Sequence, residues 1–251
     1  MPSRRSRAVP SSAFLAELAA LGAPAALCAR LDEILIAGHP GRQDRIYHSL
    51  EHSYEVASLT ARQLHSWPNV PDGRKVLLIL TAALHDLDPK RKPGTPARVS
   101  GTLALLAKKG PLNRLVADLG DRFGFTLEQT AALVMATDYS AHPVEAKKKF
   151  LAFRRAHREA FGADPWIEEW GKRLAYWDKI ATYLQTTPSQ ARRRIAGLGR
   201  EFRAERRRLD GDLTELSVQF LSGLRRDALF SYLTKAERAR FDAIMRELKT
   251  A

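Results

Sequence analysis

The run from Val76 to Leu84 is apolar at every position except Thr81. A helix that is hydrophobic all round belongs in a core, so a buried helix is expected from Arg74 to about Leu87. Elsewhere apolar residues recur at three- and four-residue spacing, and no alternating run of β-branched residues competes with that reading. The pattern predicts an all-α fold. One or two helices cover Ser12 to about Ile36, with a loop over Gly38–Gly41. Another helix runs from about Ser49 to Ser66 and ends in the Pro68–Gly73 segment. After the buried helix and a basic loop, Thr95 as N-cap and Pro96 at the first position start the next one. Further helices are expected at 111–123, 126–139, 143–160, 165–186, 188–209, 212–226 and 234–249. No fixed-period repeat emerges.

Composition narrows the class. The chain of 251 residues is 45% hydrophobic, enough for a substantial core. Lys and Arg number 41 against 28 Asp and Glu, a formal charge of +13. Such an excess attracts phosphate-bearing ligands and polyanions but does not bear on the fold. Cys28 is the one cysteine, which rules out an internal disulfide and fits a reducing, cytoplasmic setting. The apolar stretch Phe14–Leu31 is broken by Glu17, Gly22–Pro24 and Arg30, short of the roughly 20 apolar residues that span a membrane. It reads as a core helix pair, with no membrane partner. Composition shifts at Pro188, after which Arg192–Arg194 and Arg206–Arg208 concentrate positive charge. The expected organisation is a flexible tail (1–13), a helical core domain (14–187) and a basic helical extension packing on that core (188–251). The Arg-rich stretch is read as a solvated helix face.

Four features carry possible chemistry. His48 and His52, in Tyr47-His48-Ser49-Leu50-Glu51-His52, share a helix face if His48 falls within the first turn. The apolar helix ends in His85-Asp86, two adjacent side chains that diverge by roughly 100° and can reach one ion between them. The bland alternative is a histidine favoured by the helix C-terminus, with Asp86 in water. Asp178 falls on the same face as Leu174, Trp177, Ala181 and Leu184, and Asp138 lies four residues after Val134. Either could be a core carboxylate satisfied by a neighbouring Arg or Trp.

Taken in order, these features resemble the HD superfamily of metal-dependent phosphohydrolases. Tyr47-His48-Ser49-Leu50-Glu51-His52 is similar to its Tyr-His-Asn/Ser-x-x-His segment. Ala83-Leu84-His85-Asp86-Leu87-Asp88-Pro89 resembles its metal-binding dyad, and Asp178 its closing aspartate. The resemblance spans residues ~45 to 185. It implies that His52, His85, Asp86 and Asp178 bind a divalent ion. Asp138, placed much as Asp178 is, is added beside that set as a further ligand or a group that orients one. It also implies that His48 protonates the leaving group, as in the phosphodiesterase branch. Mixed imidazole and carboxylate ligands suit Mn, Fe, Co, Ni or Zn, and Mg less well. Pro89 stands where several binuclear members carry further histidines, which favours one tight ion.

The implied reaction is hydrolysis of a phosphate ester, a nucleotide or small phosphomonoester, by hydroxide formed on the ion, with Asp86 and His48 central to it. Lys90, Arg91 and Lys92 could grip phosphate, or form an ordinary basic surface loop. A catalytically inert HD-fold module that binds nucleotides or nucleic-acid phosphates is the alternative. Weak, non-specific nucleic-acid binding is also possible, though Phe202 is the lone aromatic between 186 and 215. The sequence holds no Gly-rich phosphate loop, Gly-x-Ser-x-Gly elbow or His-Glu-x-x-His pair.

Overall fold

The computed structural model describes residues 13–39, 47–90, 98–138, 165–204 and 213–250, with isolated helical positions between 148 and 158. Most of these residues are helical, and none lies in a strand. In chain order the helices are α1 (Ala13–Ala20), α2 (Ala25–Gly38), α3 (Leu50–Leu64), α4 (Asp72–Leu84), α5 (Val99–Ala107), α6 (Pro111–Phe123) and α7 (Leu127–Ala136). They continue with α8 (Pro165–Gln185), α9 (Pro188–Ala204), α10 (Leu213–Arg226), a 3-10 turn (Ala228–Tyr232) and α11 (Lys235–Lys249).

At the centre, α4 is buried at every position from Val76 to Leu84, as its composition demands. It packs against α3, which packs in turn against α8. Leu59, Leu77, Leu80, Trp177 and Tyr183 are among the largest fully buried side chains. A Val or Leu taken wholly out of water gains about 1.5–3 kcal/mol, so this layer outweighs local helix propensity in fixing the fold. The same buried cluster extends without a break to Ile195, Leu221 and Phe241. The boundary expected at Pro188 therefore does not interrupt the core.

Local signals set the helix ends. Ser49 caps α3, its hydroxyl accepting from the His52 amide at 3.2 Å. Thr126 and Thr234 form capping boxes with Gln129 and Glu237. Gly124 closes α6 in the left-handed region at φ 74°.

Several boundaries differ from the sequence expectation. Helix α4 stops at Leu84, so His85 and Asp86 lie in a turn rather than inside the helix. The cause is visible: the Leu87 amide bonds back to the Leu84 carbonyl at 3.0 Å, and the buried Thr102 hydroxyl of α5 sits among the carbonyls of Leu84, His85 and Leu87. Helix α7 ends at Ala136, leaving Asp138 beyond it. The helix expected from Thr95-Pro96 is observed from Val99 onward, and Thr95 and Pro96 lie outside the described residues, as do most of 143–160. Among the described residues, no helix is long and apolar enough to cross a membrane.

Candidate metal centre

Three segments bring the ligand atoms of His52, His85 and Asp178 into one group, and Asp86 lies beside both imidazoles without joining that group. His52 comes from the first turns of α3, His85 and Asp86 from the turn after α4, and Asp178 from the middle of α8. Asp178 Oδ1 lies 3.0 Å from His52 Nε2 and 3.1 Å from His85 Nε2. Asp86 Oδ2 lies 3.3 Å from His85 Nε2 and 3.7 Å from His52 Nε2. Both imidazoles are buried, while Asp178 and Asp86 keep side-chain exposures of 15% and 9% on the open side of the cluster.

The hydrogen bonding shows what this cluster requires. His85 Nδ1 lies 2.8 Å from the Ala82 carbonyl, which can only accept, so Nδ1 carries the proton. A neutral His85 then aims an Nε2 lone pair at the carboxylate oxygens. His52 Nδ1 faces Thr182 Oγ1 at 3.2 Å, and that hydroxyl donates to Glu55 Oε2 at 3.4 Å. His52 thus presents Nε2 in the same way. Asp86 Oδ2 is buried and has no hydrogen-bond partner. Three acceptors converge with a fourth, Asp86 Oδ2, near both imidazoles, and only a cation or added protons can hold them there. Ligands about 2.1 Å from one ion sit roughly 3.0–3.4 Å from each other, close to the 3.0 and 3.1 Å between Asp178 and the two imidazoles; Asp86 Oδ2, 3.7 Å from His52, lies outside that range. Of the residue types present, paired imidazole and carboxylate suit a transition-metal dication. The ligand atoms of His52, His85 and Asp178 all lie within 4.8 Å of one another, a group able to hold a metal ion.

The electrostatics of the metal-free cluster agree. Burial pushes the His85 imidazole down, but Asp86 and Asp178 more than offset it and raise its pKa well above the ordinary value. Burial dominates at His52 and lowers it. Burial would raise both aspartates, yet His85 and its neighbours hold Asp86 and Asp178 below the usual carboxylate range. Without a metal, a proton on His85 supplies the positive charge.

His48 stands beside this group. It lies just before α3, its ring centroid 6.1 Å from that of His52, with 18% of its side chain exposed. Its Nδ1 is 2.6 Å from Glu201 Oε2 of α9, and Tyr47 packs against both imidazoles. Asp138 is half-buried beyond α7 and, like Asp86, is not one of the residues whose ligand atoms converge. Lys90 is exposed, while Arg91 and Lys92 lie outside the described residues.

Sequence reasoning missed Glu55, Thr182, Arg194 and Glu201. Arg194 is a correction: within the Arg192–Arg194 run it faces inward, 8% exposed, while Arg192 and Arg193 are exposed. Its fork holds Glu55 through Nη1–Oε2 at 2.7 Å and Nη2–Oε1 at 2.8 Å. A signal was available. Arg194 and Glu201 are seven residues apart and share a face with Ala191 and Ile195.

No family model, curated protein or solved structure matches the chain.

Proposed function

We propose that this protein is a divalent-metal-dependent phosphohydrolase of the HD type, acting on a nucleotide or small phosphomonoester. The observation that carries this reading is the convergence of two imidazoles and the Asp178 carboxylate from three separate segments, with an Asp86 oxygen buried beside them without a hydrogen bond. The residues that would hold the ion are His52, His85, Asp178 and Asp86. When bound, a divalent ion supplies Lewis acidity, lowering the pKa of a water and offsetting charge on phosphoryl oxygens.

The chain's own groups do the rest. Asp178, with 15% of its side chain exposed, and the more buried Asp86 would orient the attacking water. His48, at the mouth, is placed to protonate the departing oxygen through Nε2 while Glu201 accepts the Nδ1 proton and holds the ring. An anion arriving at this face meets the positive field of a chain of net charge +13. Cytoplasmic residence remains part of this proposal.

The test is elemental analysis of the purified protein, then a screen of nucleotides and phosphomonoesters with Mn²⁺, Co²⁺ or Ni²⁺. Asp86→Ala should lose both metal and activity. His48→Ala should keep the metal and lose about 10²–10⁴-fold in turnover, the usual contribution of a general acid. Bound metal without turnover on any phosphate ester would support an inert binding module instead.

A second, accessory reading rests on a groove of about 390 Å³ at the C-terminal helices, lined by Ser222, Arg225, Arg226, Asp242, Met245, Arg246 and Lys249. Asp242 pairs with Arg225 at 2.8 Å, while Arg226, Arg246 and Lys249 meet no carboxylate among the described residues. Such a groove suits weak nucleic-acid phosphate binding. A binding isotherm insensitive to added salt would exclude that version.

A further inference from the structure

We infer that helix α9 sets the affinity of the metal centre through a buried chain of side chains, Arg194–Glu55–Thr182–His52, in which Thr182 is the positioning residue for a ligand imidazole. This rests on the metal-centre reading above and adds residues to it that lie outside the segment resembling the HD superfamily or carry none of its motifs.

The geometry starts on α8. Asp178 and Thr182 are four residues apart and so lie on one helix face. Asp178 Oδ1 meets His52 Nε2 at 3.0 Å, and Thr182 Oγ1 meets His52 Nδ1 at 3.2 Å. One helical turn of α8 therefore grips both nitrogens of the same ring. A hydroxyl carries one proton and two lone pairs. Thr182 accepts from His52 only while its own proton is directed elsewhere, and Glu55 Oε2 at 3.4 Å is the acceptor in reach. Glu55 in turn is held by Arg194 through two bonds of 2.7 and 2.8 Å, and Arg194 also meets Glu51 at 3.0 Å, one turn earlier on α3. His52, Glu55, Thr182 and Arg194 are all buried, at 0%, 2%, 0% and 8% exposure.

A chain of this kind has a defined effect. It fixes the Nδ1-protonated tautomer of His52 and the ring's orientation, so Nε2 stays a lone-pair donor aimed at the cation. The loss of such an outer partner costs a metal site about 10–100-fold in affinity. Arg194 acts at a distance: its fork occupies both Glu55 oxygens and opposes the burial that pushes this carboxyl up to about 7, so the Thr182 proton keeps a fixed destination. Helix α9 thus reaches the centre by two routes on one face, Arg194 towards His52 and Glu201 towards His48.

The experiment is Mn²⁺ binding by titration calorimetry to the full chain after chelation. Thr182→Val, nearly isosteric, should bind Mn²⁺ about tenfold more weakly. Thr182→Ser, which keeps the hydroxyl, should bind within about twofold of the wild type. Arg194→Lys keeps the charge and loses the fork. It should weaken binding in the wild-type background and have little effect in Thr182→Val, the non-additivity expected of groups in one network. Metal-free thermal unfolding of each variant separates this from simple damage to the fold, because a purely structural role would lower the melting temperature without changing the affinity of the folded protein. Undiminished affinity in Thr182→Val, equal losses in the Val and Ser variants, or an Arg194→Lys effect of the same size in both backgrounds would each overturn the inference while leaving the metal centre standing. A wild-type chain that binds no Mn²⁺, Co²⁺ or Ni²⁺ would instead remove the metal-centre reading, and this inference with it.

Discussion

His85 holds opposing demands in one side chain. It is 1% exposed, which disfavours its charge, yet it faces two carboxylates that favour it, and the carboxylates win. The sign of the consequence follows. A histidine whose folded pKa lies above its unfolded value, near 6.5, adds stability that is fully present below pH 6.5 and is lost as pH rises through the higher folded value. The depressed Asp86 and Asp178 add stability present above about pH 4, the unfolded range, so their loss falls at more acid pH. Glu55, pushed up to about 7 by burial, adds a loss of the same sign that is complete near pH 7, and the decline beyond that belongs to His85. Metal-free protein should therefore melt at progressively lower temperature as pH rises from 6.5. With saturating Mn²⁺ the trend should reverse, since the ion binds the unprotonated imidazole and affinity grows as protons leave. Melting curves from pH 6 to 9, with and without Mn²⁺, check both halves. Parallel curves would show that the cluster does not exchange a proton for a metal.

At the scale of the element, the placement of the dyad depends on where α4 ends. Thr102 donates to the Leu84 carbonyl at 2.9 Å and sits within 3.2 Å of two more, in a fully buried position. Thr102→Val keeps the volume and strips the donor, leaving carbonyls buried without it. The expected cost is about 1–3 kcal/mol of stability by denaturant unfolding, with weaker Mn²⁺ binding as His85-Asp86 loosens. An unchanged unfolding midpoint would show that these carbonyls are satisfied otherwise. The sequence announced α4 clearly because its burial is written as composition, and α6 at 111–123 because Pro111 and Gly124 mark its ends. It offered His52 by its spacing from His48, His85-Asp86 by their place at the end of the apolar helix and Asp178 by its place on an apolar face, and it joined them into one site only through the resemblance to the HD superfamily; the structure groups His52, His85 and Asp178. It could not announce the stop after Leu84, since Thr102 acts from another helix. Nor could it announce Glu55 and Arg194: a lone charge in a stripe looks like noise until its partner, 139 residues away, is seen beside it.

Over the whole molecule, the question is whether the last 64 residues are an appendage or part of the fold. Charge and composition suggest the first, whereas packing supports the second. Tyr176 of α8 donates to the Leu224 carbonyl at 3.1 Å, and Arg240 of α11 donates to the Leu184 carbonyl at 2.7 Å. Glu237 of α11 joins Arg62 and Gln63 of α3 at 2.9 and 3.3 Å. Phe241 and Ile244 are wholly buried in the same cluster as Leu59 and Leu77. Removing residues 188–251 would also leave Glu55, 2% exposed, without its guanidinium. Breaking a buried ion pair from one side costs about 3–5 kcal/mol, a large share of the 5–15 kcal/mol that keeps a domain folded. A chain ending at Thr187 should therefore fail to give a cooperative thermal transition, and should expose apolar surface to a hydrophobic dye. Limited proteolysis of the full chain should likewise yield no stable fragment ending near Pro188. A folded, cooperatively melting 1–187 fragment that still binds Mn²⁺ with full affinity would show that the metal centre stands on the first domain alone. It would place α9, for all its contacts, outside the working unit.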